Sequence, residues 1–384
     1  MLDGLIKKIF PEYGYLPKSK NKDGTKKKVF VGVSGGVDSS VSAALLKDAG
    51  FDVTGVFIKV YHPDFLGCDW RDERADAISV CEKLEIPFLD LDLEKEYKEE
   101  VFDYMINTYK KGDTPNPDVF CNKYVKFGGF LDFAMENGAD YVATGHYAKN
   151  IIEGDISELH KGDDLNKDQT YFIYTLPQEK LQKVIFPIGI YPKSKVRKIA
   201  KKYGLFTKDK KDSQGLCFVG KVKMKDFLQK FIDKDPGSVI DEDGKVVGAH
   251  DGAIFYTIGE RHGFEIFPES RTPNQPKLFV LEKDMGENTI TVGPRKNNDR
   301  TIEQNKKEIF IDNVNWISGE PNLEKVYEGR VRYRGNLIKC KVEKIKEGEY
   351  KINFDDNHKF ISAGQSVVLY DETKCLGGGI ILDK

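Results

Sequence analysis

The order of apolar and polar positions divides the chain into three textures. In the first, Val29, Phe30, Val31 and Val33 form a β-type run that ends in Ser34, Gly35, Gly36, Val37, Asp38 and Ser39. An amphipathic stretch from Ser40 to Asp48 then reads as helix. Residues 52–60 (DVTGVFIKV) and 86–93 read as further strands, and the helix between them over 71–84 carries Ala75, Ile78 and Cys81 on one stripe. A helix over about 95–110 leads to the turn-forming GDTPNPD of 112–118, a second helix runs over about 123–137, and residues 141–143 form a fourth strand ending in Thr144, Gly145, His146 and Tyr147. This alternation predicts an α/β domain with a parallel sheet covered on both faces, in which ligands bind at the carboxyl ends of the strands. Ile58, near the end of the second strand, is then placed to touch a base through its main chain, and a hairpin is expected over 151–160.

The texture changes after Phe218. From 237 to about 295 short β-runs alternate with Gly, Asp and Pro, which predicts a small mixed central domain. From about Lys306 six runs with turn signals between them (EIFIDNVNW, YEGRVRYRG, LIKCKVEKI, EYKINFDD, QSVVLYD, GGGIILD) predict a closed antiparallel β-barrel. The expected organisation is a partly flexible lysine-rich extension over 1–27, a catalytic domain over 28–220, the central domain over 221–300 and the barrel over 301–384.

Composition sharpens this picture in two places. The chain of 384 residues has a net charge of −2, yet twelve Lys or Arg stand between Lys193 and Lys225 against only Asp209 and Asp212. Such a segment suits a polyanion such as RNA, and read alone it also suits a solvated helix face. Six cysteines, at 68, 81, 121, 217, 340 and 375, form no CxxC pair, which fits a reducing cytoplasm better than an oxidising compartment. No apolar run reaches the ~20 residues that span a bilayer, and the first residues lack the length and cleavage site of a signal peptide.

The chemistry starts at the strand–loop–helix of residues 29–48. Glycines 35 and 36 let several N–H groups converge on an anion at the positive end of a helix. No GK[ST] follows, so the loop is not a Walker A. It resembles the SGGxDS loop of the PP-loop ATP pyrophosphatases, which grip pyrophosphate and cleave ATP between its α and β phosphates. Two cysteines sit in loop contexts that favour a thiolate: Cys121 just past a Pro-Asn-Pro turn at a helix start, and Cys217 after DSQG beside the basic run. Cys81 and Cys340 lie on apolar faces and read as core, and a zinc site from His62, Cys68 and Cys81 lacks paired ligand spacing.

SGGVDSS, TPNPDVFCNKYVKF, DYVATGHYA, NKDQTYF, DSQGLCFVG, GQSVVLY and CLGGGI, in that order, resemble the tRNA-specific 2-thiouridylases of the MnmA family, from about Lys28 onward. The resemblance implies a PP-loop (adenine nucleotide α-hydrolase-like) domain. It implies thiolation at C2 of the wobble uridine in a tRNA anticodon stem-loop, with ATP and Mg²⁺ and with a persulfide from a sulfur-relay protein or cysteine desulfurase. Carried over by position, the nucleophile falls on Cys121, the persulfide cysteine on Cys217 and a general acid/base on Asp118. The ATP contacts fall on Gly32, Val33, Ser34, Gly35, Gly36, Val37, Asp38, Ser39, Ile58 and Gly145. The tRNA contacts fall on Asn116, Pro117, Asp118, His146, Lys167, Asp168, Gln169, Arg332, Tyr333 and Gln365. The stretch after the second strand, VYHPDFLGCDWRDERADA, and the extension over 1–27 depart from the family pattern. Two rival functions keep part of the pattern: an ATP-dependent ligase or amidotransferase in which the cysteines are incidental, and an RNA-binding protein with a decayed ATP site.

Overall fold

The computed structural model describes residues 15–66, 70–211, 224–271, 276–294, 306–358 and 361–383. Cys68 and Cys217 lie outside the described residues, as do residues 1–14.

The first texture folds around a parallel sheet of β1 (Lys28–Gly32), β2 (Asp52–Lys59), β3 (Phe88–Asp92), β4 (Tyr141–Ala143) and β7 (Val184–Ile185), ordered β3-β2-β1-β4-β7. Helix α1 (Val37–Asp48) follows β1 and begins three residues before the amphipathic pattern suggests, with Gly36 as its N-cap. Its buried face, Val41, Ala44 and Leu45, packs in one core with Val29 and Val31, while Phe30 joins a second core that includes Phe130 and Val142. Helix α2 (Trp70–Lys83) crosses to β3, and Cys81 packs so closely on the sheet that a Cβ at Gly55 would strike its sulfur. Burial raises the Cys81 thiol to about 11, as expected of core sulfur.

Helix α3 runs without a break through Glu94–Tyr97, the π-helical Lys98–Asp103 and Tyr104–Lys110. Helix α4 comprises Pro117–Phe120, a π-helical stretch Cys121–Gly129 and Phe130–Glu136, and it kinks at Gly128, whose φ −105° and ψ −105° are not helical. It starts at Pro117 and not near Lys123, because proline's fixed φ and missing N–H suit the first helical position.

The hairpin β5 (Ala148–Glu153) and β6 (Ile156–Lys161) forms as expected, but it leaves its parent sheet. Beyond short α5 (Thr170–Ile173) and α6 (Gln178–Leu181), α7 (Lys193–Lys202) carries the basic run and buries Val196, Ile199 and Ala200. After α8 (Met224–Leu228), the central sheet is ordered β10-β9-β8-β12-β11, from β8 (Gly237–Ile240), β9 (Val246–His250), β10 (Glu265–Ile266), β11 (Leu278–Asp284) and β12 (Thr289–Pro294).

The last six strands are β13 (Lys306–Trp316), β14 (Tyr327–Arg330), β15 (Ile338–Lys346), β16 (Glu349–His358), β17 (Ser366–Asp371) and β18 (Lys374–Ile381). Pairing of β13 with β18 closes them into the expected barrel. Hairpin β5–β6 extends this sheet through Lys374 opposite His160. The Tyr171 hydroxyl donates to the Ser366 carbonyl at 2.9 Å, so α5 is also tied to the barrel. Cys340 and Cys375 are fully buried, and burial pushes each thiol up to about 12.

Residues 15–27 differ from the expected flexible extension. The Tyr15 hydroxyl donates to the Phe186 carbonyl at 2.7 Å, and the Lys27 ammonium lies 5.1 Å from the Tyr141 ring centroid.

Candidate functional site

The glycine loop lies at the carboxyl end of β1, between β2 and β4. Gly35 adopts φ +66°, and a Cβ there would sit 2.5 Å from the Asp76 side chain, so only glycine fits. The Ser39 hydroxyl accepts from the Ser34 N–H at 3.2 Å, which holds the loop curled over the start of α1. Val33 and Val37 are buried anchors, Ser34 is exposed and Gly32 packs beside Ile58 and Phe130. Gly145, at the end of β4, approaches so closely that a Cβ would lie 2.8 Å from the backbone of Asp38 and Ser39. Gly32 to Ser39, Ile58 and Gly145 are thus gathered around the N-terminus of α1, the positive end of its dipole.

The cations of this loop are what sequence reasoning missed. The Lys193 ammonium donates to both Asp38 carboxylate oxygens, at 2.9 and 2.7 Å, and the Tyr147 hydroxyl donates to Asp38 Oδ1 at 2.8 Å. Lys210 reaches the Gly35 carbonyl at 3.1 Å and the Asp76 carboxylate at 2.5 Å. Two members of the basic run thus turn toward the phosphate loop and not toward a distant polyanion. The only signal for this in the sequence is the charge run itself.

One step along the chain from Gly145, His146 connects the loop to α4. Its ring meets Phe127 of α4 at 5.8 Å and Phe186 at 5.9 Å, and its Nδ1 lies 2.7 Å from the Thr144 hydroxyl. Burial, helped by the Lys126 charge, holds its pKa well below the ordinary 6.5 and keeps the ring neutral. Because the unfolded chain binds that proton first, the associated stability is present above about pH 6.5 and declines as pH falls below it. The expected slope is up to ~1.4 kcal/mol per pH unit. Urea titrations across pH 5–7 should show this slope in the parent protein and its loss in His146→Gln.

On α4 itself, Asp118 and Cys121 are three residues apart and share a helix face. Burial raises the Asp118 carboxyl above its usual range, opposed by the Lys126 ammonium. Cys121 is 5% exposed and opens the π-helical stretch, a helix irregularity that recurs at functional sites. It is not at the helix terminus as the sequence suggests, because its N–H already bonds back to the Pro117 carbonyl within the helix.

The predicted tRNA residues divide into two groups. Lys167, Gln169, Arg332 and Tyr333 have partly or fully exposed side chains, and Tyr333 packs at 4.5 Å on Phe172, which brings barrel and catalytic domain together. Asp168 is different. It is 1% exposed and accepts from the Thr170 N–H and hydroxyl and from Arg330, so its carboxylate orders the loop and does not face a ligand. Asn116 and Pro117 are buried at the start of α4. The Gln365 amide donates to the Thr114 and Pro115 carbonyls, at 3.0 and 2.9 Å, and so holds the turn before them. The distance between Cys121 and Cys217 is undefined because Cys217 lies outside the described residues.

A tRNA-specific 2-thiouridylase MnmA from Francisella tularensis subsp. novicida (strain U112) is 45% identical over 360 residues, which cover 93% of this chain and 99% of that protein. The chain belongs to the MnmA family of tRNA-specific 2-thiouridylases. The MnmA protein of Francisella tularensis subsp. tularensis (strain WY96-3418) matches with the same identity and coverage. Three family models match: a tRNA methyl transferase HUP domain over residues 27–221, a tRNA methyl transferase PRC-barrel domain over 225–294 and an aminomethyltransferase β-barrel domain over 306–381. Among solved structures, the U34-tRNA thiolase NcsA from Methanococcus maripaludis is 20% identical, with a TM-score of 0.36, over 60% of this chain and 73% of that one. Among the described residues no helix is long and apolar enough to cross a membrane.

Proposed function

We propose that this MnmA-family protein is an ATP-dependent tRNA-uridine 2-sulfurtransferase of the cytoplasm, built from a catalytic domain (28–220), a central domain (221–300) and a tRNA-contacting barrel (301–384). One observation carries the reading: Gly145 and His146 are consecutive, one pressed against the phosphate loop and the other against the helix of Asp118 and Cys121. Nucleotide loop and candidate nucleophile are thereby held by a single strand end.

ATP lies with its phosphates on the amides of 32–39 and its base near Ile58 and Gly145. The C2 oxygen of the anticodon uridine attacks the α-phosphorus, an O–P bond forms, and the α–β bridge breaks to release pyrophosphate. Lys193 and Lys210 face the charge that leaves. Mg²⁺ in such sites is held by phosphates and one or two carboxylates. Among the described residues no trio of metal-ligating side chains exists, and the carboxylates at the loop, Asp38 and Asp76, are already paired with Lys193 and Lys210. The ion would therefore rest chiefly on the nucleotide, where it would screen phosphate charge.

Cys217 carries the incoming sulfur as a persulfide, supplied by a cysteine desulfurase or relay protein. The Cys121 thiolate attacks the inner sulfur and forms a Cys121–Cys217 disulfide, and hydrosulfide leaves with the S–S bonding pair. Hydrosulfide then adds to C2 and expels AMP, while Asp118 is placed to transfer the proton. A thiol reductant restores both cysteines. The test is mass spectrometry of tRNA incubated with the protein, ATP, Mg²⁺ and a low-molecular-weight persulfide. A sulfur-for-oxygen shift on the anticodon uridine is expected, and an unmodified uridine overturns the reading.

The outer face of α7 supplies the sequence-independent part of tRNA affinity, since Lys195 and Lys198 are exposed there. Replacing both with alanine is expected to reduce the slope of log affinity against log salt by about 1.4 to 1.8, for two phosphate contacts. Filter binding at several salt concentrations measures this.

A further inference from the structure

The turn before α4 is gripped from two sides. From the barrel, the Ala363 carbonyl accepts the Thr114 N–H at 2.9 Å, and the Gln365 amide bonds to the next two carbonyls. Gly364 lies so close that a Cβ would meet the Thr114 carbonyl oxygen at 2.8 Å.

From the central domain the grip is electrostatic. The Lys283 ammonium, on β11, donates to the Gly112 carbonyl at 2.6 Å. Burial holds its pKa below the usual lysine range, and the charges of Asp113 in the turn, Glu260 in the central domain and Asp383 beyond the barrel oppose that shift. Glu260 in turn accepts the Thr257 N–H at 3.1 Å, and the Thr257 hydroxyl lies 3.2 Å from that of Thr114. Gly112 has φ +86°, and a Cβ there would strike the Met285 side chain at 2.8 Å, so the hairpin β11–β12 seats directly on the turn. Burying an ammonium costs free energy, which the bond to the Gly112 carbonyl offsets. That bond adds a hold from the central domain to the two by which the turn is tied to α3, the Gly112 N–H on the Tyr109 carbonyl at 2.8 Å and the Asp113 N–H on the Thr108 carbonyl at 3.2 Å.

We infer that Lys283 is a positioning residue for the thiolation reaction, anchoring the 112–116 turn so that Asp118 and Cys121 are presented at one place relative to the phosphate loop. The inference rests on the roles given to those two residues above. Lys283 touches neither nucleotide nor target base. It acts through the Gly112 carbonyl and the first turn of α4, and it makes the central domain part of the catalytic geometry. Misplacement of a reacting group by about 1 Å costs on the order of 10²-fold in rate, so the effect belongs in kcat.

The test compares parent, Lys283→Met and Lys283→Arg enzymes in steady-state thiolation of an unmodified tRNA transcript with ATP, Mg²⁺, a low-molecular-weight persulfide and a thiol reductant that reopens the Cys121–Cys217 disulfide between turnovers. Methionine keeps the stem and removes the donor. A kcat lowered about 10- to 100-fold, with KM for ATP and tRNA within twofold of the parent and arginine recovering most of the rate, is the expected result. Thr257→Val, which removes only the hydroxyl facing Thr114, should lower kcat in the same direction by a smaller factor, and it serves if Lys283→Met does not fold. An unchanged kcat in these variants, or a loss confined to KM, overturns the inference. A parent enzyme that forms no 2-thiouridine overturns the proposed function instead.

Discussion

Serine at position 121 is expected to stop 2-thiouridine formation while tRNA-dependent pyrophosphate release continues. Uridine activation needs the phosphate loop and the base, whereas release of the carried sulfur needs a second thiolate. Oxygen in place of sulfur keeps the shape of a side chain that is 5% exposed, so the helix should form normally. It removes the nucleophile proposed above, and loss of an attacking group costs on the order of 10³-fold or more. Mass spectrometry for the thio-nucleoside and a pyrophosphate assay in parallel separate the two half-reactions. A Cys121→Ser enzyme that still makes 2-thiouridine would favour a ligase or amidotransferase with incidental cysteines, and a parent protein without pyrophosphate release would favour a decayed ATP site.

A methyl group added at Gly145 should be nearly as damaging by a different route. Its Cβ would lie 2.8 Å from the Asp38 carbonyl carbon and the Ser39 nitrogen, backbone atoms that cannot swing aside. Either the end of β4 or the first turn of α1 must shift, and the amides that converge on phosphate shift with it. Gly145→Ala is therefore expected to lower tRNA-dependent pyrophosphate release by about 10²-fold, with a raised KM for ATP. Gly244→Ala, in the β8–β9 turn where a Cβ would meet nothing within 4 Å, is the matched control, and the strain from its φ of +81° stays in that turn, so it should release pyrophosphate like the parent. Equal activity of the two variants would show that the close approach at β4 does not shape the nucleotide site.

The contrast between these residues shows what kind of information a sequence exposes. The unit from Val29 to Asp48 is legible because its signal is local: an apolar run, two glycines and a helical period follow one another within twenty positions. The same holds for the six barrel strands, each bounded by its own turn residues. Pro117 was a local signal too, and weighing its fitness for the first helical position would have placed the start of α4 correctly. Lys193 is different. Its partner Asp38 is 155 positions away, and nothing in KSKVRKIAKK separates the lysine that turns inward from those that remain in water. The burial of Asp168 is equally non-local, because it depends on Arg330 arriving from the barrel. Lys283 could be read only as a charge in a strand, since the turn it grips lies far upstream.

Strand β6 meets the barrel at its end, with His160 opposite Lys374 and the Lys161 N–H on the Thr373 carbonyl at 2.8 Å. A protein cut before Lys306 would lose both links. It would also strip the cover from Tyr171 and Tyr174, which are buried at the junction. Shortened versions of this chain should therefore precipitate and not survive as a working nucleotide-cleaving fragment. Exchange of barrels between relatives would have to carry the hairpin along with the graft.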